Sequence, residues 1–139
     1  MMSVEKKIRK LIEKAKLFLE KAREGYIKAR QTGDVLAIRD AAEKAWNAIV
    51  QATNALVLHY TGKFPTSHFE RRKLLRELER RVPEVEQLGL LDRYMARYRV
   101  LHGETFYEGI IDFEQLDVEF EKVRKYIQDI EKMLEKEMG

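Results

Sequence analysis

The sequence predicts an all-α protein: an antiparallel up-and-down bundle of four main helices plus one shorter helix. Apolar residues recur at spacings of three and four along most of its 139 residues, and no stretch alternates as a half-buried strand does. Gly, Asp and Ser residues fall between the periodic stretches, where helices end and begin. We therefore expect a single domain over residues 1–139, large enough to bury a core without disulfides or a structural metal.

The first two periodic stretches predict a pair of long antiparallel helices. The first ends near Arg30, and the second runs from about Val35 to Tyr60. Gly33 can end the first helix in a left-handed conformation, and Asp34 can cap the second. The apolar stripe of the first helix is Val4, Ile8, Leu11, Ile12, Ala15, Phe18, Leu19, Ala22, Tyr26 and Ala29. The core face of the second is Ile38, Ala42, Ala45, Ile49, Ala52 and Leu56, and its alanines allow close approach of a facing helix.

Three further helical stretches follow. Ser67 and Glu70 have the spacing of a capping box, which predicts a third helix that ends before Pro83. A fourth stretch extends from about residue 84 to residue 102. Asp112 can cap a last long helix, and loops are expected near residues 31–34, 61–66 and 103–112. The core face of the last helix is predicted to be Phe113, Leu116, Phe120, Val123, Ile127, Ile130 and Leu134.

Composition excludes several classes of protein. There are 27 Lys and Arg residues against 24 Asp and Glu, so a net charge of +3 permits binding of a polyanion but does not require it. The absence of Cys excludes disulfides, thiolate nucleophiles and Cys-type zinc sites. No signal-peptide pattern begins the sequence, and no run reaches the roughly 18 apolar residues of a membrane helix. We expect a cytoplasmic protein with no membrane association, metal or cofactor.

Arg97 and His102 are the candidate catalytic residues. The chain has only three histidines, so acid–base chemistry near neutral pH has few candidates. His102 could move a proton at a ribose 2′-oxygen or a leaving oxygen, while Arg97 holds the charge of the phosphorane. The alternative is structural: Arg97 pairs with a carboxylate such as Asp92 or Glu104, and His102 satisfies carbonyls at a helix end.

The neighbouring residues are candidates for binding RNA or a nucleotide. Arg93 and Arg97 lie four residues apart, as do Tyr94 and Tyr98, so adjacent ridges of one helix carry cations and rings. Such a surface could bind phosphates and stack bases. Arg99 adjoins it and, three residues before the histidine, would share a helical face with it. The tyrosines could instead belong to the core or to a dimer interface.

Two other features have a structural interpretation and a functional one. The third helix carries a basic run of Arg71, Arg72, Lys73, Arg76, Arg80 and Arg81. It is either a solvated face or a flank that contacts RNA. His59 and His68 lack metal-ligand spacing to another histidine, so we interpret both as structural.

The order of these elements resembles the HEPN superfamily, whose members are helical, usually dimeric, nucleotide-binding domains. Its recurring motif is an Arg followed after four to six residues by a His, and Arg97 and His102 fit that spacing. Glu104 stands where toxin members often carry Tyr, and we include it among the nucleotide-contacting candidates. The stretches 45–48, 55–62, 101–104 and 106–109 look like the archaeal PaREP-type branch of the superfamily.

The resemblance implies a function and partners. It implies an RNA- or nucleotide-binding protein that acts as a metal-independent ribonuclease, of the toxin type found in toxin–antitoxin pairs, through Arg97 and His102. The alternatives are a non-catalytic helical partner of a small nucleotidyltransferase and an assembly protein with a degenerate site. It also implies a homodimer, in which Tyr94, Tyr98, Phe106 and Tyr107 would supply aromatic residues to the interface.

Overall fold

A computed structural model describes residues 2–139 as an all-α bundle. It is 86% helical, and no strand occurs in this range, so the predicted fold class is confirmed. The α-helices are α1 (Val4–Thr32), α2 (Val35–Thr61), α3 (His68–Arg81), α4 (Pro83–Gln87), α5 (Leu90–Arg97) and α6 (Phe113–Met138). A π-helical segment, Tyr98–Tyr107, continues directly from α5.

The long helices form as the sequence predicts. Gly33 adopts a left-handed conformation with φ 73°, and the Asp34 carboxylate accepts a hydrogen bond from the Ala37 N–H at 3.1 Å. The apolar stripe of α1 is buried or half-buried from Ile8 onward, as is the core face of α2. Val4 is the exception and that prediction is wrong: it is 53% exposed, because no neighbouring element covers the first turn of α1.

The predicted capping box begins α3. The Ser67 hydroxyl accepts from the Glu70 N–H at 3.0 Å, and the Glu70 carboxylate accepts from the Thr66 N–H at 2.9 Å. The next predicted stretch, residues 84–102, is not one helix. Gly89 is left-handed with φ 62° and separates α4 from α5. Residues 103–107, predicted as loop, are helical because the π-helical segment extends to Tyr107.

The π-helical segment is anchored at its C-terminal end by α2. Helices with i to i+5 hydrogen bonds are rare and usually a single turn, whereas this one has ten residues. Arg39 donates from Nε to the Phe106 carbonyl at 2.8 Å and from Nη2 to the Tyr107 carbonyl at 2.9 Å. Gly109, with φ 75°, lets the chain pass close to this side chain, since a Cβ there would lie 3.2 Å from Arg39 Nη1. These bonds stabilise carbonyls that the end of the segment would leave unpaired.

The core lies where α2 packs against α1, α6 and the π-helical segment. The predicted core face of α6 is buried except for half-buried Phe113. Thr53 of α2 and Tyr126 of α6 share a buried hydrogen bond of 2.6 Å between their hydroxyls. Tyr26 of α1 donates to the Asp117 carboxylate of α6 at 2.8 Å. These bonds connect the long helices that support the site.

Replacing Phe120 with Ala should destabilise the protein by about 2–5 kcal/mol, because it removes a buried aromatic side chain from the core. Urea unfolding would measure the loss. The matched control is Val118→Ala on the same helix, where the side chain is 46% exposed and the cost should stay within about 0.5 kcal/mol. Equal losses for the two variants would show that the packed face of α6 is assigned wrongly.

Candidate functional site

His102 forms a hydrogen-bonded pair with Glu43 of α2. The His102 side chain is 30% exposed, and its Nδ1 lies 2.8 Å from Glu43 Oε1. An ionised carboxylate only accepts hydrogen bonds, so the imidazole proton belongs on Nδ1. Nε2 then carries a lone pair that can accept a proton from another molecule. A carboxylate that orients a histidine in this way is a common arrangement for general base chemistry.

The rings of Tyr94, Tyr98, His102 and Phe106 form an aromatic row along α5 and the π-helical segment. Tyr98 and His102 stack with centroids 5.3 Å apart, and His102 and Phe106 with centroids 5.9 Å apart. Residues four apart are neighbours on the surface of a helix. Trp46 of α2 packs against the row, with its ring 5.1 Å from Tyr94 and 5.3 Å from Tyr98.

Arg97 points into the core instead of toward His102. It is only 6% exposed, and its Nε donates to Glu119 Oε1 of α6 at 2.7 Å. Gln115 donates to the other Glu119 oxygen at 2.8 Å, which completes the carboxylate's set of partners. His102 faces Glu43 of α2 instead, so the structure does not bring the two candidate catalytic residues together at one set of partners. Arg97 does pair with a carboxylate, but the partner is neither Asp92 nor Glu104.

The structure also separates the predicted cations from the predicted rings. Arg93 pairs with Asp129 of α6 at 2.9 Å, so both arginines of the ridge are bound to α6. Tyr94, on the neighbouring ridge, is fully buried and faces α2 and α3. A single exposed surface of arginines and stacking tyrosines is therefore not present. The reason is that successive residues on a helix point about 100° apart, and this helix is packed on both sides.

Three predicted residues remain near solvent. Tyr98 is half-buried, but His68 covers its ring at a centroid distance of 3.6 Å with the planes 7° apart, so a base cannot stack on that face. Arg99 is exposed and forms no ion pair within residues 2–139. Glu104 is half-buried. A nucleotide-binding role for these three residues stays a prediction.

His68, at the start of α3, belongs to the site, although no motif or spacing in the sequence indicates it. Arg71 Nε donates to the Tyr94 hydroxyl at 3.1 Å, which leaves the hydroxyl proton available for His68 Nδ1, 2.9 Å away. Burial raises the pKa of Tyr94, which keeps that proton in place. His68 is thereby held with its proton on Nε2. Burial, and then the charges of Arg72, Arg71 and His102, lower the pKa of His68 from 6.5 to about 4.

The fold and the site define a helical-bundle protein with a carboxylate-oriented histidine at the edge of an aromatic cluster. A family model matches residues 6–127, and the chain belongs to the archaeal PaREP1/PaREP8 family. No curated protein and no solved structure matches the chain. Residues 2–139 contain no cluster of three or more side chains suited to hold a metal ion. None of the helices described is long and apolar enough to cross a membrane.

The neutral His68 should make stability depend on pH. The unfolded chain protonates this histidine near pH 6.5 and the folded protein near pH 4, so the unfolded state binds more protons between these values. The stability that the neutral ring contributes is complete above pH 6.5 and is lost as the pH falls toward 4. His68→Asn, which keeps an acceptor for Tyr94 but does not titrate, should reduce this pH dependence in urea unfolding. His59→Asn is the control, and an identical pH dependence in wild type and His68→Asn would contradict the assignment.

Proposed function

We propose that this protein binds RNA at the surface around His102 and cleaves it without a metal ion. The observation that carries the proposal is the His102–Glu43 pair, which leaves Nε2 of a half-exposed histidine able to take a proton. The resemblance to HEPN proteins supports it, because His102 is the histidine of their recurring motif.

The cleavage step follows from the position of the proton. His102 Nε2 removes the proton of a ribose 2′-hydroxyl, and the 2′-oxygen attacks the adjacent phosphorus. The bond from phosphorus to the 5′-oxygen breaks, and that oxygen takes up the proton, which gives a 2′,3′-cyclic phosphate and a 5′-hydroxyl. Glu43 keeps the ring oriented and stabilises the imidazolium that forms. Because Arg97 is held by Glu119, we assign the stabilisation of phosphate charge to exposed Arg99 and half-buried Arg72.

The burial of Arg97 also supports a second candidate function. Without the motif arginine at the phosphate, the site can bind a nucleotide or an RNA end while a partner protein, such as a small nucleotidyltransferase, performs the chemistry. In that case the protein binds RNA or nucleotide with no cleavage of its own. The two candidates differ in whether His102 affects turnover or binding alone.

Purified protein incubated with mixed RNA and a chelator should produce fragments that end in 2′,3′-cyclic phosphate. His102→Ala should slow cleavage by about 10²–10⁴-fold, the usual contribution of general acid–base catalysis. Glu43→Gln should lower kcat, since a neutral amide does not stabilise the imidazolium that forms in the transition state. His59→Ala is the matched control and should cleave like the wild type. Binding without cleavage in every variant would favour the partner function instead.

We further propose a homodimer that uses the end of the molecule around Arg39. Tyr94 is fully buried within the protomer and cannot take part, whereas Tyr107 is 75% exposed. Leu36 and Ile110 are exposed as well; Leu36 is three residues before Arg39 on α2, and Arg39 binds the Tyr107 carbonyl. Light scattering at micromolar concentration should give twice the protomer mass, and Tyr107→Glu should lower it. A protomer mass for the wild type would contradict this interface.

A further inference from the structure

A stripe of arginines along α3 leads toward the two histidines of the site. Arg72, Arg76 and Arg80 lie four residues apart, so they share one face of the helix. Arg76 and Arg80 are exposed and Arg72 is half-buried. None of the three forms an ion pair among residues 2–139.

The acidic residues of α3 leave this positive charge uncompensated. The Glu70 carboxylate is bound to the Thr66 N–H, while Glu77 and Glu79 are half-buried and make no ion pair with the stripe. Like charges at a spacing of four repel each other on a helix. An anionic strand laid on this face would remove that repulsion.

An exposed aromatic ring stands where the stripe approaches the site. Phe69 is 61% exposed, and the guanidinium carbon of Arg72 lies 5.5 Å from the centre of its ring. A ring beside a cation is the usual platform on which proteins stack the bases of single strands. The adjacent residue, His68, stacks on Tyr98, which in turn stacks on His102. Arg72 is four residues after His68 on α3, so the stripe approaches the site at the His68 ring.

We propose that α3 is the binding track for a single RNA strand, with phosphates on Arg72, Arg76 and Arg80 and a base on Phe69. The three arginines span about 12 Å at 1.5 Å per residue, enough for a short extended segment of the strand. A duplex keeps its bases paired and cannot place one on Phe69, so the track selects single strands. This inference rests on the proposed RNA function and adds the path by which the strand reaches His102.

The test uses a fluorescently labelled 12-nucleotide RNA whose 2′-positions are methylated, so that it binds without being cut. Anisotropy titrations at several salt concentrations compare the wild type with the double variant Arg76→Gln, Arg80→Gln. Loss of two phosphate contacts should flatten the slope of log affinity against log salt by about 1.4 and weaken binding at low salt. Phe69→Ala should weaken binding roughly tenfold with the slope unchanged. Arg81→Gln, an exposed arginine on another face of α3, is the matched control.

The possible outcomes distinguish a failure of the α3 binding track from a failure of the proposed function. If the double variant and Phe69→Ala bind like the wild type, while His102→Ala still slows cleavage of ordinary RNA as expected above, the track is refuted and the function stands. If the wild type neither binds nor cleaves RNA, both fail. Equal competition by duplex and single-stranded RNA would also overturn the track. Circular dichroism spectra of the surface variants should match that of the wild type. Weaker RNA binding would then come from the lost contacts and not from unfolding.

Discussion

The buried ion pair between Arg97 and Glu119 is the interaction on which the rest of the site depends. Removing one partner of such a pair typically costs about 3–5 kcal/mol, because the other charge is left buried alone. The pair therefore fixes the end of α5 against α6, and the π-helical segment begins at the next residue. Arg97 points toward α6, and His102, five residues later, faces α2. The arginine that the motif suggests for catalysis acts instead to hold the segment that carries the histidine.

The π-helical segment carries the side chains that surround His102. Tyr98, His102 and Phe106 follow one another at a spacing of four, so that the His102 ring is held between two others. Arg39 secures the far end, and Glu43, one turn further along α2, binds the imidazole. Long π-helices are uncommon and tend to occur at functional sites, so this one agrees with a site at His102.

Features that depend on local sequence could be predicted, and those that depend on contacts between distant residues could not. The bounds of α1, α2 and α6 follow from apolar periodicity and from caps such as Gly33 and Asp34, which act within a few residues. The partner of His102 is 59 residues away, on another helix, and nothing in the spacing of Glu43 distinguishes it from other acids. The side toward which Arg97 points likewise depends on α6. His68 enters the site only because α3 folds back against the aromatic row.

NMR titration with the 2′-methylated RNA can distinguish a structural Arg97 from one that contacts RNA, since it observes both residues of the motif in one sample. The Arg97 Nε–H should exchange slowly and keep its chemical shift as RNA is added, because Glu119 holds it in the core. The imidazole signals of His102 should shift with saturation and report a proton on Nδ1 in the free protein. An Arg97 signal that exchanges quickly, or that moves together with His102 as RNA binds, would contradict the account.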